Sequence, residues 1–140
     1  MPTFPSVEWF RALRDQVNDD EKYRKFGTCE ARAGFQVGSR CFEVVFDAFR
    51  VSEIRELAPA EAERSADFIL EMSTDQWREM VENIKANGGA DPRHTLNTLV
   101  YPGQLRLRYR DATGMDKFYL YNQSFQYFVN AAARVATSFE

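Results

Sequence analysis

The clearest pattern of hydrophobic and polar positions lies in residues 74–85, where apolar side chains recur every three or four positions. That spacing places them on one face of a helix. They are Trp77, Met80, Val81 and Ile84. Ser73 precedes the run and Gln76 follows three positions later, which completes a capping-box pattern. The sequence therefore predicts an amphipathic helix over residues 74–85.

A second helical stripe lies near the N-terminus, where Ser6 is a residue that can cap a helix. The apolar positions of that stripe are Phe10, Leu13 and Val17. A short helix that carries Tyr23 and Phe26 is expected next, and Gly27 is expected to end it. We therefore interpret residues 1–28 as an N-terminal helical segment.

Alternation of apolar and polar positions predicts the strands of a sheet. The predicted strands are residues 29–37, 41–47, 49–57, 66–72 and 104–110. The first two form a hairpin around a tight turn at Gly38 and Ser39. The alternation of the third is interrupted near Ile54, where we expect a bulge or kink. Residues 59–63 are expected to be a polar connection, and residues 111–114 a turn.

The last third of the chain contains two further helical patterns. Asp91 is expected to cap a short helix that begins at Pro92, because proline is favoured at the first helical position. The apolar positions of this helix are Leu96, Leu99 and Val100. From residue 118 onward, apolar side chains recur at alternating spacings of three and four, which favours one long terminal helix. Residues 117–121 also have strand propensity, so a strand pairing with residues 104–110 stays open there.

These elements predict a single domain over residues 1–140 with an α+β fold. The expected architecture is a mostly antiparallel five-stranded sheet with helices packed on one face, because this arrangement buries every apolar stripe. Residues 29–140 would form its core, with the N-terminal segment added to it. A chain of this length buries about 68% of its unfolded surface, so it folds without a metal or a disulfide.

Charge and composition exclude several classes of partner. The formal net charge is −3, and an acidic domain without a basic cluster argues against nucleic acid. The most basic stretch contains Arg106, Arg108 and Arg110, which we expect on the solvent face of one strand; a docking site for an acidic partner or an anionic headgroup is the alternative. No apolar run approaches the roughly 20 residues of a membrane span, and the N-terminus has no secretion-signal pattern. We therefore expect a cytoplasmic protein.

Few residues have the chemistry of a catalytic or metal site. Cys29 and Cys41 are expected to lie roughly 23 Å apart along the hairpin, which is too far for a disulfide. His94 is the one histidine, and a solvated position at a helix start is its expected place; a general base or a hydrogen bond to a ligand's polar head are alternatives. Asp67 and Glu71 would be separated by roughly 13 Å, too far for a glycosidase-type pair. We predict no metal site and no cofactor.

The order of these elements resembles the sterol carrier protein type-two family of lipid-binding domains. The residues that carry the resemblance are Ala66-Asp67-Phe68-Ile69-Leu70, Ser73, Trp77, Asp91-Pro92, Leu99 and Gly103-Gln104-Leu105-Arg106-Leu107. In that family a similar strand leads into a helix, and a short helix, a G-x-L-x-L strand and a C-terminal helix follow. The resemblance spans roughly residues 29–139. The sequence departs from the family pattern at Tyr109-Arg110-Asp111, because the last strand of family members usually has a glycine at its end.

The resemblance implies an apolar tunnel between the sheet and the helices, open to fatty acyl chains, sterols or similar molecules, with the terminal helix as its gate. We name the expected lining side chains the predicted wall residues. They are Phe68, Leu70, Met72, Trp77, Met80, Ile84, Leu96, Leu99, Leu105, Leu107, Phe118, Tyr121, Phe125 and Phe128. The aromatic and methionine side chains among them equally suit a filled core, since methionine adapts to irregular gaps.

The function expected from the sequence is therefore the binding or carrying of a hydrophobic small molecule. Two other hypotheses stay open. One is a small cofactor-independent enzyme that acts on an aromatic or terpenoid substrate, with His94 or a buried carboxylate as its base. The other is a non-catalytic subunit that docks through an apolar patch onto a larger enzyme, or onto a second copy of itself.

Overall fold

A computed structural model describes residues 1–140, apart from the side chain of Phe26. The helices are α1 (Val7–Asn18), α2 (Glu21–Phe26), α3 (Pro59–Ser65), α4 (Thr74–Asn87), α5 (Leu96–Val100), α6 (Ala112–Leu120), α7 (Asn122–Asn130) and a 3₁₀ helix (Ala131–Arg134). The strands are β1 (Thr3–Phe4), β2 (Glu30–Val37), β3 (Arg40–Asp47), β4 (Val51–Leu57), β5 (Phe68–Met72), β6 (Arg106–Tyr109) and β7 (Ser138–Phe139). The predicted short helix is α2, although the predicted place of the Phe26 side chain lies outside the described residues.

Five of the strands form one sheet in the order β4-β3-β2-β5-β6. Neighbouring strands in this sheet run antiparallel, except that β2 and β5 run parallel. The hairpin turns at Gly38, whose φ of 61° lies in the left-handed region. A register shift between Val45 and Phe46 leaves Ser52 as the extra residue of a bulge, close to the irregularity expected near Ile54. The predicted α+β class and the mostly antiparallel sheet are confirmed.

The strands alternate their side chains between two faces of this sheet, and most of the core lies on one of them, which we call the first face. The opposite face is the second face. Phe35 on β2 pairs with Phe42 on β3 and with Leu70 on β5, so apolar side chains form a continuous layer. Helix α4 packs its predicted apolar side on this layer, and the indole nitrogen of Trp77 donates to the carbonyl of Gln36 at 2.7 Å. The Ser73 hydroxyl caps α4, as its capping-box pattern predicts.

The N-terminal segment is part of the same core rather than an addition to its edge. Ser6 caps α1 by accepting from the backbone N–H of Trp9 at 3.1 Å. The apolar side of α1 is fully buried and belongs to the main cluster of core residues. The indole of Trp9 donates to Thr137 at 3.0 Å, and β1 pairs with β7 in a two-stranded parallel sheet. The two ends of the chain are therefore joined.

The polar connection expected over residues 59–63 is wrong, since these residues lie in α3. Proline at the first helical position suits a helix start, but Ala62 is the one buried residue of this helix, so no stripe marks it. Helix α3 packs on the second face of the sheet, beside Cys41 and Ile69. That face is therefore covered in part, while the other helices pack on the first face.

The helix start expected at Asp91 is also wrong. Residues 92–94 form a turn, and α5 begins at Leu96 with Thr95 as its cap. The Asp91 carboxylate accepts from the backbone N–H of Arg93 and contacts the imidazole of His94, so it holds the turn together. Asp91 is thus used in a local turn before the helix begins.

The single long terminal helix is wrong, because the segment divides into two α-helices and a 3₁₀ helix. Asp111 caps α6 instead of opening a turn, and residues 117–121 are helical up to Leu120. The break falls at Tyr121, which has φ −108° and ψ 21°. It lets Phe118 pack on Phe68, with ring centroids 5.6 Å apart, while α7 turns toward β3. Phe125 of α7 contacts both Phe46 on β3 and Phe68 on β5, so the break brings α6 and α7 together over these two strands.

Candidate functional site

The predicted wall residues come together in the structure. Leu107 and Tyr121 are half-buried, and the rest are buried. All of them belong to, or pack against, one continuous apolar cluster between the first face of the sheet and the helices. Sequence reasoning therefore located this layer, although the role of these residues in binding a ligand stays a prediction.

Two rings of α7 stand at the centre of the layer. Phe128 has its ring centroid 5.6 Å from that of Phe46, 5.8 Å from Phe35 and 6.4 Å from Phe10. Phe125 lies 5.0 Å from Phe46 in an edge-to-face arrangement. Both α7 rings are fully buried. In this conformation, side chains of α7 occupy the space where the tunnel was expected.

Several residues of the layer were missed by sequence reasoning. Phe35, Phe42, Val44 and Phe46 from the hairpin form much of its floor and are buried at 2% exposure or less. A signal for them exists in the sequence, because Phe42, Val44 and Phe46 alternate with a period of two. The predicted set drew only on strands 66–72 and 104–110 and on the helices, so it left the side chains of the hairpin out.

The outer side of α7 is held to the rest of the domain by a few polar contacts. We call Gln126, Tyr127 and Asn130 the latch residues. The Gln126 side chain accepts from the backbone N–H of Leu96 at 2.8 Å, and Asn130 accepts from that of Ala90 at 3.0 Å. The Tyr127 hydroxyl donates to Asp20, and this bond holds the pKa of that carboxyl below its ordinary value. These contacts link α7 to the cap of α2, to the segment before α5 and to the first residue of α5.

His94 lies beside a cavity of about 300 Å³ between α4 and α5. The lining residues are Met72, Gln76, Glu79, Arg93, His94, Leu99 and Gln104. Nδ1 of His94 is 2.8 Å from Asp91, and Nε2 is 3.5 Å from Glu79. The hydrogen bond to Asp91 raises the pKa of His94, and the same bond lowers the pKa of Asp91 to about 2. This arrangement favours a protonated imidazole that donates at both nitrogens.

The second face of the sheet contains a charged group that is fully buried. Glu43 on β3 accepts hydrogen bonds from Arg55 at 3.0 and 3.1 Å, from Arg32 at 3.3 Å and from the Ser65 hydroxyl at 2.6 Å. A buried carboxylate needs such partners, because an unpaired charge is costly to remove from water. The network fixes the end of α3 on the sheet and gives this face a polar character.

The two cysteines are free, as predicted, and both are buried. Burial raises the pKa of each thiol to about 12, so neither resembles an activated nucleophile. Among the described side chains, no cluster of three or more His, Cys, Asp or Glu could hold a metal ion. None of the described helices has the length and apolar character that crossing a membrane requires.

The sequence matches no family model and no curated protein. Solved structures with a similar fold include a crystal structure of sterol carrier protein 2, at a TM-score of 0.70 and 20% sequence identity over 94% of this chain and 98% of that one. A UbiJ-SCP2 ubiquinone synthesis protein is similar at a TM-score of 0.52 and 16% identity, over 96% of this chain and 94% of that one.

A third similar structure is the solution structure of the conserved hypothetical protein TT1886 from Thermus thermophilus, whose description relates it to sterol carrier protein. It has a TM-score of 0.70 and 21% identity, and the match covers 95% of this chain and 90% of that chain. In each case the similarity extends over nearly the whole of both chains. The chain therefore has the fold of sterol carrier protein 2, as the resemblance in its sequence predicted.

Proposed function

We propose that this protein binds a hydrophobic small molecule, such as a fatty acyl chain or a sterol, between the first face of the sheet and helices α4 and α7. The observation that carries the proposal is the sterol-carrier fold together with a continuous apolar layer at that place. The layer is built by side chains from the sheet and from several helices, so one ligand could contact many elements at once.

Binding at this place requires that α7 moves outward, because Phe125 and Phe128 fill the centre of the layer. The latch residues hold α7 by a small number of hydrogen bonds. Each such bond contributes about 1 kcal/mol net, since water replaces the lost partner when it opens. An acyl chain would then replace the ring contacts that the sheet loses. Helix α7 would thus act as the gate.

The apolar character of the layer predicts how affinity depends on the ligand. Each buried CH₂ contributes about 0.8 kcal/mol, so two additional methylenes should lower the Kd about 15-fold. The absolute Kd also includes the cost of moving the Phe125 and Phe128 rings, so the predicted quantity is the change of Kd with chain length. Adsorption to an outer surface would bury fewer methylenes and would give a much smaller dependence.

The proposal is tested by titrating delipidated protein with saturated fatty acids of increasing length, by displacement of a fluorescent fatty acid. We expect the steep dependence on chain length. We also expect Asn130→Ala, which removes the hydrogen bonds that Asn130 accepts from Ala90 and Gln126, to bind at least as tightly as wild type. Asn87→Ala, on the exposed end of α4, is the matched control. Equal Kd values across the series would contradict binding in the apolar layer.

Catalysis at His94 is the less favoured hypothesis. Both ring nitrogens face carboxylates, so a substrate proton would have no free nitrogen to bind without the loss of one contact. We expect His94→Ala to leave fatty-acid affinity unchanged. Weakened binding in that variant would instead support a role for the imidazole in holding the ligand's polar head.

A further inference from the structure

A groove on the second face of the sheet has a charge opposite to that of the protein as a whole. It lies between α3 and β6 and has a volume of about 610 Å³. Phe68 and Leu107, which belong to the apolar layer, also line it, so the sheet itself divides the groove from the interior of that layer. Four arginines line it: Arg64, Arg106, Arg108 and Arg110. Glu63 is the one carboxylate among the lining residues. We call this feature the arginine groove.

The guanidinium groups of the groove differ in their partners. Arg108 bonds to Gln36 at 3.0 Å and to Glu71 at 3.2 Å, and it also pairs with Glu63. These partners fix Arg108 in place and balance its charge. In the described part of the chain, no carboxylate lies within ion-pair distance of Arg64, Arg106 or Arg110.

Three unpaired cations in one concavity are unusual for a chain with a net charge of −3. Positive charges that share one concavity without a carboxylate partner favour the binding of an anion there. Guanidinium groups bind carboxylate and phosphate oxygens with two parallel hydrogen bonds. The guanidinium of Arg110 is held beside α3, since its Nη1 donates to the backbone carbonyl of Arg64 at 2.8 Å.

Apolar residues contribute to the groove beside its arginines. Ala66 and Ile69 line it and are buried, and Tyr109 lies at its side with half of its surface exposed. The volume falls within the range of about 300–1,000 Å³ that is typical of small-molecule sites. A site with apolar lining residues and a cationic rim suits a ligand that has an anionic head and a compact apolar body.

We propose that the arginine groove binds a small organic anion, a phosphate or carboxylate joined to an apolar group. The concave shape favours a small molecule over a membrane surface, and the acidic remainder of the chain would be repelled by anionic lipid. Arg64 and Arg106 would hold the anion, Arg108 would fix the geometry of the rim, and Ile69 would contact the apolar body. The proposal does not depend on the function proposed above.

Calorimetric titration with 1-naphthyl phosphate and with 1-naphthoate at low ionic strength tests this proposal. The variant Arg64→Ala/Arg106→Ala removes two exposed, unpaired guanidinium groups and is expected to fold normally. Its matched control, Arg11→Ala/Arg24→Ala, removes the same charge from exposed positions on α1 and α2. We expect the groove variant to raise the Kd by at least about tenfold, because hydrogen bonds to charged groups are the stronger ones.

Three results would overturn the proposal. They are equal affinity of the groove and control variants, equal binding of neutral 1-naphthalenemethanol, and binding only to phosphatidylglycerol vesicles with none to either naphthyl anion. Fatty-acid titrations of the same groove variant separate the two proposals. An unchanged chain-length dependence there would leave the apolar-layer proposal intact whichever way the groove experiment ends.

Discussion

Replacement of Phe128 by alanine tests whether the α7 rings stabilise the fold as the structure indicates. The ring is fully buried, and three other aromatic rings lie with centroids within 6.4 Å of it. A phenylalanine side chain covers roughly 150 Å² or more, and at 25 cal/mol per Å² its burial contributes about 4 kcal/mol. Measured costs of Phe→Ala in cores, about 3–5 kcal/mol, agree with that figure.

The assay is equilibrium unfolding in urea, followed by tryptophan fluorescence. We expect Phe128→Ala to lower the free energy of unfolding by about 3–5 kcal/mol and the Tm by roughly 10–17 °C, from the scaling for a domain of this size. Alanine favours helices more than phenylalanine does, so a few tenths of a kcal/mol are recovered in α7. The cavity left behind is apolar, so benzene should bind it and restore part of the loss.

Tyr119→Ala is the control, because Tyr119 is also an aromatic residue on a C-terminal helix but is 51% exposed. Its loss should stay below about 1 kcal/mol, as for most surface positions. A loss below about 1.5 kcal/mol for Phe128→Ala would refute this packing, since removal of a fully buried ring lowers the free energy of unfolding by more than that.

Three further predictions concern titration, thiol reactivity and close packing. The hydrogen bond to Asp91 raises the pKa of His94 above its ordinary value of 6.5. The contribution of this bond to stability is therefore complete below pH 6.5 and is lost as the pH rises through the pKa of the folded protein. An NMR titration midpoint at or below 6.5 would contradict this. Cys29 and Cys41, with pKa values of about 12, should resist Ellman's reagent in the folded protein and react in urea, and rapid reaction without urea would show that they are exposed. A Cβ atom at Gly114 would overlap the carbonyl oxygen of Asp67, so Gly114→Ala should cost about 1–3 kcal/mol in urea unfolding, and a neutral result would place α6 farther from β5.

The sequence predicts the parts of this fold in which one side of an element is buried. Helix α4 is amphipathic and has a capping serine, so its position and its buried side chains follow from spacing alone. The β2–β3 hairpin follows from alternation and from Gly38. The apolar layer follows in turn, because stripes on separate elements must meet for any of them to leave water.

Other parts have no signal of that kind. Helix α3 buries one alanine, so its sequence is indistinguishable from a polar connection. The break at Tyr121 lets both Phe118 of α6 and Phe125 of α7 pack on Phe68 of β5, and the stripe itself continues across it. Glu43 occupies a position that alternation assigns to solvent, yet it is fully buried under α3. Each of these features depends on tertiary contacts with a distant part of the chain.

The most direct test of the proposed function is an isotope-filtered NOE experiment on ¹³C-labelled, delipidated protein saturated with unlabelled palmitate. We predict NOEs from the acyl-chain protons to the rings of Phe125 and Phe128 and to the methyl groups of Leu70, which lie in the apolar layer. NOEs confined to Ile69 and Tyr109 would place the chain in the arginine groove instead. That result, or the absence of any NOE at saturation, would contradict binding between the sheet and α7.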